Sequence, residues 1–155
     1  YTLRLEMAGV ATLQGQVDNA ITHYLTAQSI YPQGIEAIRS LADIYLRSGQ
    51  LEAATEQLER LVMLDQNDFS AALTLVRLMI NEQDFASAWQ TCNMAIQIDP
   101  FNRELHKICG QVAFSREDWE NTAAEYNLYR LLGGVLTDTM SGQLERAQES
   151  LTADP

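Results

Sequence analysis

The sequence predicts an all-α fold in which helix–turn–helix repeats stack into a solenoid. Three observations lead to this prediction. The apolar pattern repeats every 34 residues, each period holds two apolar stripes of helical spacing, and no alternating apolar run indicates a strand. Because one pair of helices cannot cover its own apolar faces, such repeats must stack on one another.

The period of 34 residues runs without insertion or deletion from Tyr1 to Gly134. One column of the repeat is small on the first helix, and it is made of Ala8, Ala42, Val76 and Gly110. A second column is small on the second helix, and it is made of Ala20, Ala54, Ala88 and Thr122. A third is always large and apolar: Val17, Leu51, Phe85 and Trp119. We expect the two small columns to face each other, because helices approach closely only where side chains are short.

The second repeat illustrates how each element is predicted. Its first helix carries an apolar stripe made of Ile38, Leu41, Ala42 and Tyr45. Ser48 and Gly49 break this pattern, and a second stripe follows that is made of Leu51, Ala54, Leu58, Leu61 and Val62. Asp68 can then cap the next helix. In the third repeat Pro100 ends the second helix, because proline cannot continue it.

These patterns divide the chain into four repeats and a tail. The repeats are residues 1–34, 35–68, 69–102 and 103–136, and the tail is residues 137–155. Within the tail, residues 141–145 repeat the letters SGQLE of residues 48–52, so that Leu144, Ala147 and Leu151 would take second-helix positions. We interpret the tail as a degenerate fifth unit or a capping helix. Its wet face would hold Glu145, Arg146, Gln148 and Glu149.

Composition and charge exclude several classes of function. The 155 residues carry a formal net charge of −11, which argues against nucleic acid or an anionic membrane surface as the main partner. No apolar stretch is long enough to insert into and span a bilayer. The chain starts at Tyr1 without a signal peptide, and we interpret it as a fragment. The preference for arginine over lysine fits a bacterial source.

No pattern in the sequence indicates catalysis, and we predict a non-enzymatic protein without metal or cofactor. Phosphate loops and zinc or serine hydrolase motifs are absent. His106, Cys109 and Cys92 could form a nucleophile pair or a partial metal site, but the columns of the two cysteines otherwise hold Tyr, Leu and Met, which favours packing. A disulfide between the cysteines stays open. The carboxylates expected on outer helix faces are Glu52, Glu56, Glu59 and Glu125.

The repeat pattern resembles the tetratricopeptide repeat. The resemblance rests on a small residue at repeat position 8, Gly near 15, a large apolar residue at 17, Ala at 20 and Pro at 32, and it covers residues 1–136. Residues 48–68 and 83–100 look like second-helix segments of that family. Position 4, usually a large aromatic, departs from the pattern, and Gln66 and Gly134 replace the closing proline. The resemblance implies a right-handed superhelix.

The resemblance also implies a concave groove, lined by the first helices, that binds a peptide or partner protein. The residues that we predict to bind a partner in this groove are Arg39, Asp43, Leu46, Arg47, Leu73, Arg77, Ile80, Lys107, Gln111 and Phe114. Four of the ten basic residues lie among them, so we expect a partner with acidic and apolar side chains. In the bland alternative, Arg39 pairs with Glu36 or Asp43 and Arg77 is merely solvated.

Two other roles stay open at this point. The ends of a solenoid expose apolar faces, so the chain could self-associate through them. It could also be a regulatory segment of a larger enzyme or of a secretion or assembly protein. The set of Lys, Asn and Arg with which chaperone-binding members of the family hold a C-terminal carboxylate is not matched, so we do not predict that activity.

Overall fold

A computed structural model describes residues 1–153, and within this range every regular element is an α-helix. The predicted all-α fold of successive helix–turn–helix units is therefore confirmed. Within residues 1–153, one pair of helices lies in each predicted repeat and a ninth helix follows in the tail. In chain order they are α1 (Thr2–Leu13), α2 (Val17–Ile30), α3 (Ile35–Arg47), α4 (Leu51–Leu64), α5 (Phe69–Asn81), α6 (Phe85–Ile98), α7 (Arg103–Ser115), α8 (Trp119–Leu131) and α9 (Asp138–Ala153).

The turn inside each helix pair reverses the chain through one residue with a left-handed backbone. Gly15 and Gly49 take this conformation at φ 71° and 72°, as suits a residue without Cβ. Gln83 and Glu117 occupy the same repeat position at φ 61° and 56°. The turn geometry is thus retained in the third and fourth repeats, although their side chains make it less favourable.

Side-chain caps fix where several helices begin. Asp84 accepts a hydrogen bond from the Ser87 backbone N–H at 3.1 Å at the start of α6. Asp118 does the same for Asn121 at the start of α8. Hydrogen bonds from the Ser87 side chain and from its backbone N–H hold the pKa of the Asp84 carboxyl below its ordinary value, because they stabilise the charged form.

The chain forms two compact units, Tyr1–Ala71 and the part from Ala72 onward. In the first unit, the small columns meet as expected: Ala8, Ala20, Ala42 and Ala54 are all buried. Helix α3 packs on α2, and a buried hydrogen bond of 2.8 Å joins the side-chain amide of Gln28 to that of Gln57. The amide pair lies between second helices of neighbouring repeats and satisfies both polar groups.

The second unit is built on the same columns, with one tighter contact. Val76, Ala88 and Thr122 are buried, and Gly110 lies directly under the ring of Tyr126. A Cβ on Gly110 would overlap that ring, so only glycine fits here. Burial raises the pKa of the Tyr126 phenol to about 12.

The tail folds differently from the segment whose letters it repeats. Ser141 and Gly142 lie inside the continuous helix α9, whereas Ser48 and Gly49 form a turn between two helices. The letters SGQLE therefore do not form a turn here as they do at residues 48–52, and residues 138–153 form one helix after the fourth repeat. Instead, α9 packs directly on α8, and Met140 and Leu144 contact Tyr126. The predicted wet face of α9, made of Glu145, Arg146, Gln148 and Glu149, is exposed.

Candidate functional site

Four of the predicted groove residues line one concave pocket in the second unit. The pocket has a volume of about 400 Å³ and is formed by α5 and α7. It combines cationic, apolar and amide side chains. Its lining residues are Arg77, Ile80, Asn81, Glu104, Lys107, Ile108 and Gln111.

The cations of this pocket share a single carboxylate. The Glu104 carboxylate lies 3.6 Å from the Arg77 guanidinium and 3.6 Å from the Lys107 ammonium. Two positive charges therefore face one negative charge, and the three side chains keep a net positive charge. The pairs are long and partly open to solvent, so each contributes little stability.

Arg39 lies in the first unit and has a different environment. Its guanidinium forms an ion pair with Asp68 and a longer one, at 3.8 Å, with Asp65. Arg39 is thus paired within the chain, as the alternative to a binding role expects, but its partners come from the turn between α4 and α5 and are not Glu36 or Asp43. Asp68 also accepts a hydrogen bond from the Ala71 backbone N–H at 3.0 Å, as its predicted capping role requires.

The other predicted residues lie outside the pocket. Asp43 and Arg47 are exposed on α3, and Leu46 and Leu73 are half-buried. The Phe114 ring stacks edge-on against Trp119, with ring centres 5.8 Å apart. The Arg146 guanidinium of α9 lies 5.7 Å above the Phe114 ring and 5.3 Å above that of Trp119. Phe114 is thus packed beneath α9 in the structure.

His106 does not pair with the cysteines. Its Nδ1 lies 2.6 Å from the Glu125 carboxylate and its Nε2 lies 2.9 Å from the Pro100 carbonyl oxygen. Both ring nitrogens thus face acceptors, so a proton must lie between the imidazole and the carboxylate. Glu125 is 7% exposed, so its assignment to an outer helix face is wrong, whereas Glu52, Glu56 and Glu59 are exposed as expected.

The two cysteines are free and buried. A hydrogen bond with the Cys92 thiol raises the pKa of the Cys109 thiol, and burial raises it further. A raised pKa keeps the thiol protonated and unreactive. This environment supports the packing interpretation of both cysteines over a nucleophilic role.

The buried His106–Glu125 pair is a feature that sequence reasoning missed. A signal was present in the repeat register, because the second helix has a polar residue at position 23 in every repeat. In the first repeat the equivalent positions also meet: the Arg4 guanidinium donates to His23 Nδ1 at 3.3 Å. Position 23 is His23, Gln57, Thr91 and Glu125 in the four repeats.

Residues 1–153 contain neither a cluster of metal-binding side chains nor a membrane-spanning helix. No three His, Cys, Asp or Glu side chains in this range are grouped so that they could hold a metal ion. No helix in the same range combines the length and the apolar character needed to cross a membrane.

Comparison with known proteins gives similarity in sequence and in structure. The sequence pattern of a family described as "Tetratricopeptide repeat" matches residues 11–74. The BBSome complex member bbs-4 of Caenorhabditis elegans is 28% identical over 88 residues, which are 57% of this chain and 19% of that protein. The chain therefore spans about a fifth of the length of this relative.

Solved structures extend the similarity to nearly the whole chain. The crystal structure of MamA protein superposes with a TM-score of 0.72 at 18% identity and covers 97% of this chain and 87% of that one. A tetratricopeptide repeat protein from Parabacteroides merdae superposes with a TM-score of 0.66 at 18% identity, covering 99% of this chain and 63% of that one. At this identity the likeness shows a shared fold, which is a helical repeat.

Proposed function

We propose that this chain is a tetratricopeptide repeat protein and a non-catalytic interaction module that binds an acidic, apolar segment of a partner protein. The proposed site is the pocket between α5 and α7. The name of the relative bbs-4, a member of a protein complex, supports a role in binding other proteins.

The observation that carries this proposal is the shared carboxylate of Glu104. Arg77 and Lys107 both lie 3.6 Å from it, so the two cations share this carboxylate. A carboxylate from a partner would balance the remaining positive charge of the pocket, and a guanidinium can bind it through two parallel N–H donors. Replacing a long, solvent-exposed internal pair costs little, because such pairs contribute at most about 1 kcal/mol.

Apolar side chains beside the cations supply the second half of the recognition. Ile80 and Ile108 line the same pocket, and Gln111 adds an amide that can bond to a peptide backbone. Buried apolar anchors next to paired charges are the usual source of affinity in such interfaces. The preferred segment therefore has an Asp or Glu close to a Leu, Ile or Phe. The two lie one turn apart if the segment is helical and two residues apart if it is extended.

The experiment that tests this proposal is selection of displayed random peptides on the immobilised protein, followed by affinity measurement. Selected peptides are expected to be enriched in Asp or Glu next to apolar residues. Fluorescence anisotropy with one of these peptides should then show that reversing both pocket cations, R77E with K107E, abolishes binding.

A matched control separates the pocket from the overall charge. Arg103 and Arg130 lie in the same unit, outside the pocket lining, and the double reversal R103E with R130E changes the net charge by the same amount. This control should retain most of the affinity. Equal loss in both double variants, or selected peptides without acidic enrichment, would refute the proposed pocket.

A further inference from the structure

We propose that Arg146 of α9 is a second anion contact of the binding surface, so that the partner segment carries two acidic residues at a fixed separation. The first acidic residue binds in the pocket between α5 and α7, and the second binds at the Arg146 guanidinium. This inference rests on the proposed function, because both contacts are made by the same partner segment.

Helix α7 carries one continuous face from the pocket to Arg146. Lys107, Gln111 and Phe114 follow each other at intervals of four and three residues, so their side chains lie on the same side of the helix. Lys107 and Gln111 line the pocket, and the Phe114 ring lies beneath the Arg146 guanidinium. The face that begins at the cations of the pocket therefore ends at a further cation, which α9 supplies.

Two aromatic rings hold the Arg146 guanidinium in place. It lies 5.7 Å from the centre of the Phe114 ring and 5.3 Å from the centre of the Trp119 ring. The rings contact each other edge-on, so they form one apolar support for the cation. A guanidinium that lies over a ring keeps the N–H donors at its edge available for a carboxylate. Because the side chain is already held, it loses less conformational entropy when it binds.

The charge of Arg146 has no counter-ion within residues 1–153. Arg146 is exposed and forms no ion pair with a carboxylate in this range, although Glu149 follows it by one helical turn. Arg116 shows the contrasting case, because it lies 5.5 Å from the centre of the Trp89 ring and also pairs with Asp118 at 3.7 Å. A partner carboxylate would therefore balance the charge of Arg146, whereas the charge of Arg116 already faces a carboxylate.

Helix geometry sets the expected separation of the two acidic residues. The interval from Lys107 to Phe114 corresponds to about 10 Å along the axis of α7. An extended segment covers this distance in about three residues, and a helical segment covers it in about two turns. The second acidic residue is thus expected about three residues from the first if the segment is extended, and two turns away if it is helical.

Fluorescence anisotropy with a panel of synthetic peptides tests this inference on the whole chain. Every peptide has one Glu next to a Leu, and a second Glu is moved one residue at a time along an otherwise uncharged sequence. A reference peptide has Gln in place of the second Glu. At one of the two expected separations, the affinity should exceed that of the reference peptide by about three- to fivefold. The variant R146Q should remove this gain and leave the affinity for the reference peptide unchanged.

A matched variant separates the contact from the overall charge. R116Q removes the same charge from a guanidinium that also lies over a tryptophan ring, and it should keep the gain. R146K keeps the charge but lacks the planar group with parallel donors, so it should keep only part of the gain. A gain that is the same at every separation, that survives R146Q, or that R116Q removes equally would overturn the inference.

The same panel distinguishes failure of this inference from failure of the proposed function. If the reference peptide does not bind, or if its binding is insensitive to R77E with K107E, the pocket itself is refuted and the second contact with it. If the reference peptide binds and R77E with K107E abolishes its binding, but the second Glu adds nothing, the pocket stands and the role of Arg146 is refuted.

Discussion

The first and fourth repeats place the same helical pattern in two different surroundings. Helices α1 and α7 both carry an apolar stripe at repeat positions 3, 7 and 10, and both have leucine at position 3. The stripe of α7 is covered, whereas that of α1 is open. Because the residue types of the two stripes are alike, the difference comes from the neighbouring second helix. For α7 that neighbour is α6.

The same contrast extends to a polar pair that joins the two helices in the first repeat and in the fourth. In the fourth repeat positions 4 and 23 hold His106 and Glu125, which are buried at 2.6 Å. In the first repeat they hold Arg4 and His23, which are half-buried at 3.3 Å. The same two repeat positions thus form a buried polar contact in the fourth repeat and lie at the rim of an open concavity in the first.

The largest expected effect comes from breaking the buried pair. The variant Glu125→Leu leaves the imidazole of His106 without its carboxylate and should lower the free energy of unfolding by about 3–5 kcal/mol. Replacing both residues by leucine should restore most of this loss, because no uncompensated charge remains. Urea denaturation measures the free energy of unfolding of both variants. The control is Arg4→Leu, which alters the half-buried pair and should leave the free energy of unfolding within about 0.5 kcal/mol of wild type.

Truncation of the shared leucine tests the contrast in apolar packing. Leu105→Ala opens a cavity in a fully buried site and should cost about 2–5 kcal/mol. Leu3→Ala alters a residue that is 67% exposed and should change the free energy of unfolding by less than about 0.5 kcal/mol. Equal costs in urea denaturation would mean that the two stripes have the same surroundings.

Replacing glycine by alanine should change the free energy of unfolding in opposite directions in the two repeats. In α7, Gly110→Ala would place a methyl group against the Tyr126 ring and should cost about 1–3 kcal/mol. In α1, Gly9 has open space around it, so Gly9→Ala should stabilise the helix by about 0.5–1 kcal/mol. Thermal melts of the two variants should therefore shift in opposite directions.

The smallest expected effect concerns the turns. Glu117 has a left-handed backbone at φ 56°, where the first repeat has Gly15. Glu117→Gly should raise the free energy of unfolding by roughly 0.5–1 kcal/mol, because the strain removed exceeds the added chain entropy. Glu120→Gly, inside α8, is the control and should be destabilising. A loss of stability in both variants would show that the turn is unstrained.

Much of the fold could be predicted from the sequence, because the period of 34 marks both the helices and the columns that they bury. The burial of Glu125 was missed, because its partner His106 lies 19 residues away on another helix. The partners of Arg39 were also missed, since Asp65 and Asp68 come from the following turn. The structure of the tail could not be predicted from the letters SGQLE, because they occur both in a turn and inside a helix. In the tail, helix α9 packs on α8.

The pocket between α5 and α7 was predicted only in part. The register identified Arg77, Ile80, Lys107 and Gln111, which do line one pocket. It could not show that Glu104 contacts both cations, because that depends on side-chain positions across two helices. This shared carboxylate is the feature on which the proposed function depends.

The most direct test of the proposed function is the affinity of a selected acidic peptide for the variant Glu104→Gln. Removing this charge frees Arg77 and Lys107 for the peptide, so binding should become roughly two- to fivefold tighter, as expected from the loss of weak competing pairs. The affinity of the Glu104→Gln variant for the peptide should also fall more steeply with rising salt concentration than that of the wild type. Unchanged or weaker binding by Glu104→Gln would contradict recognition of a partner carboxylate at this pocket.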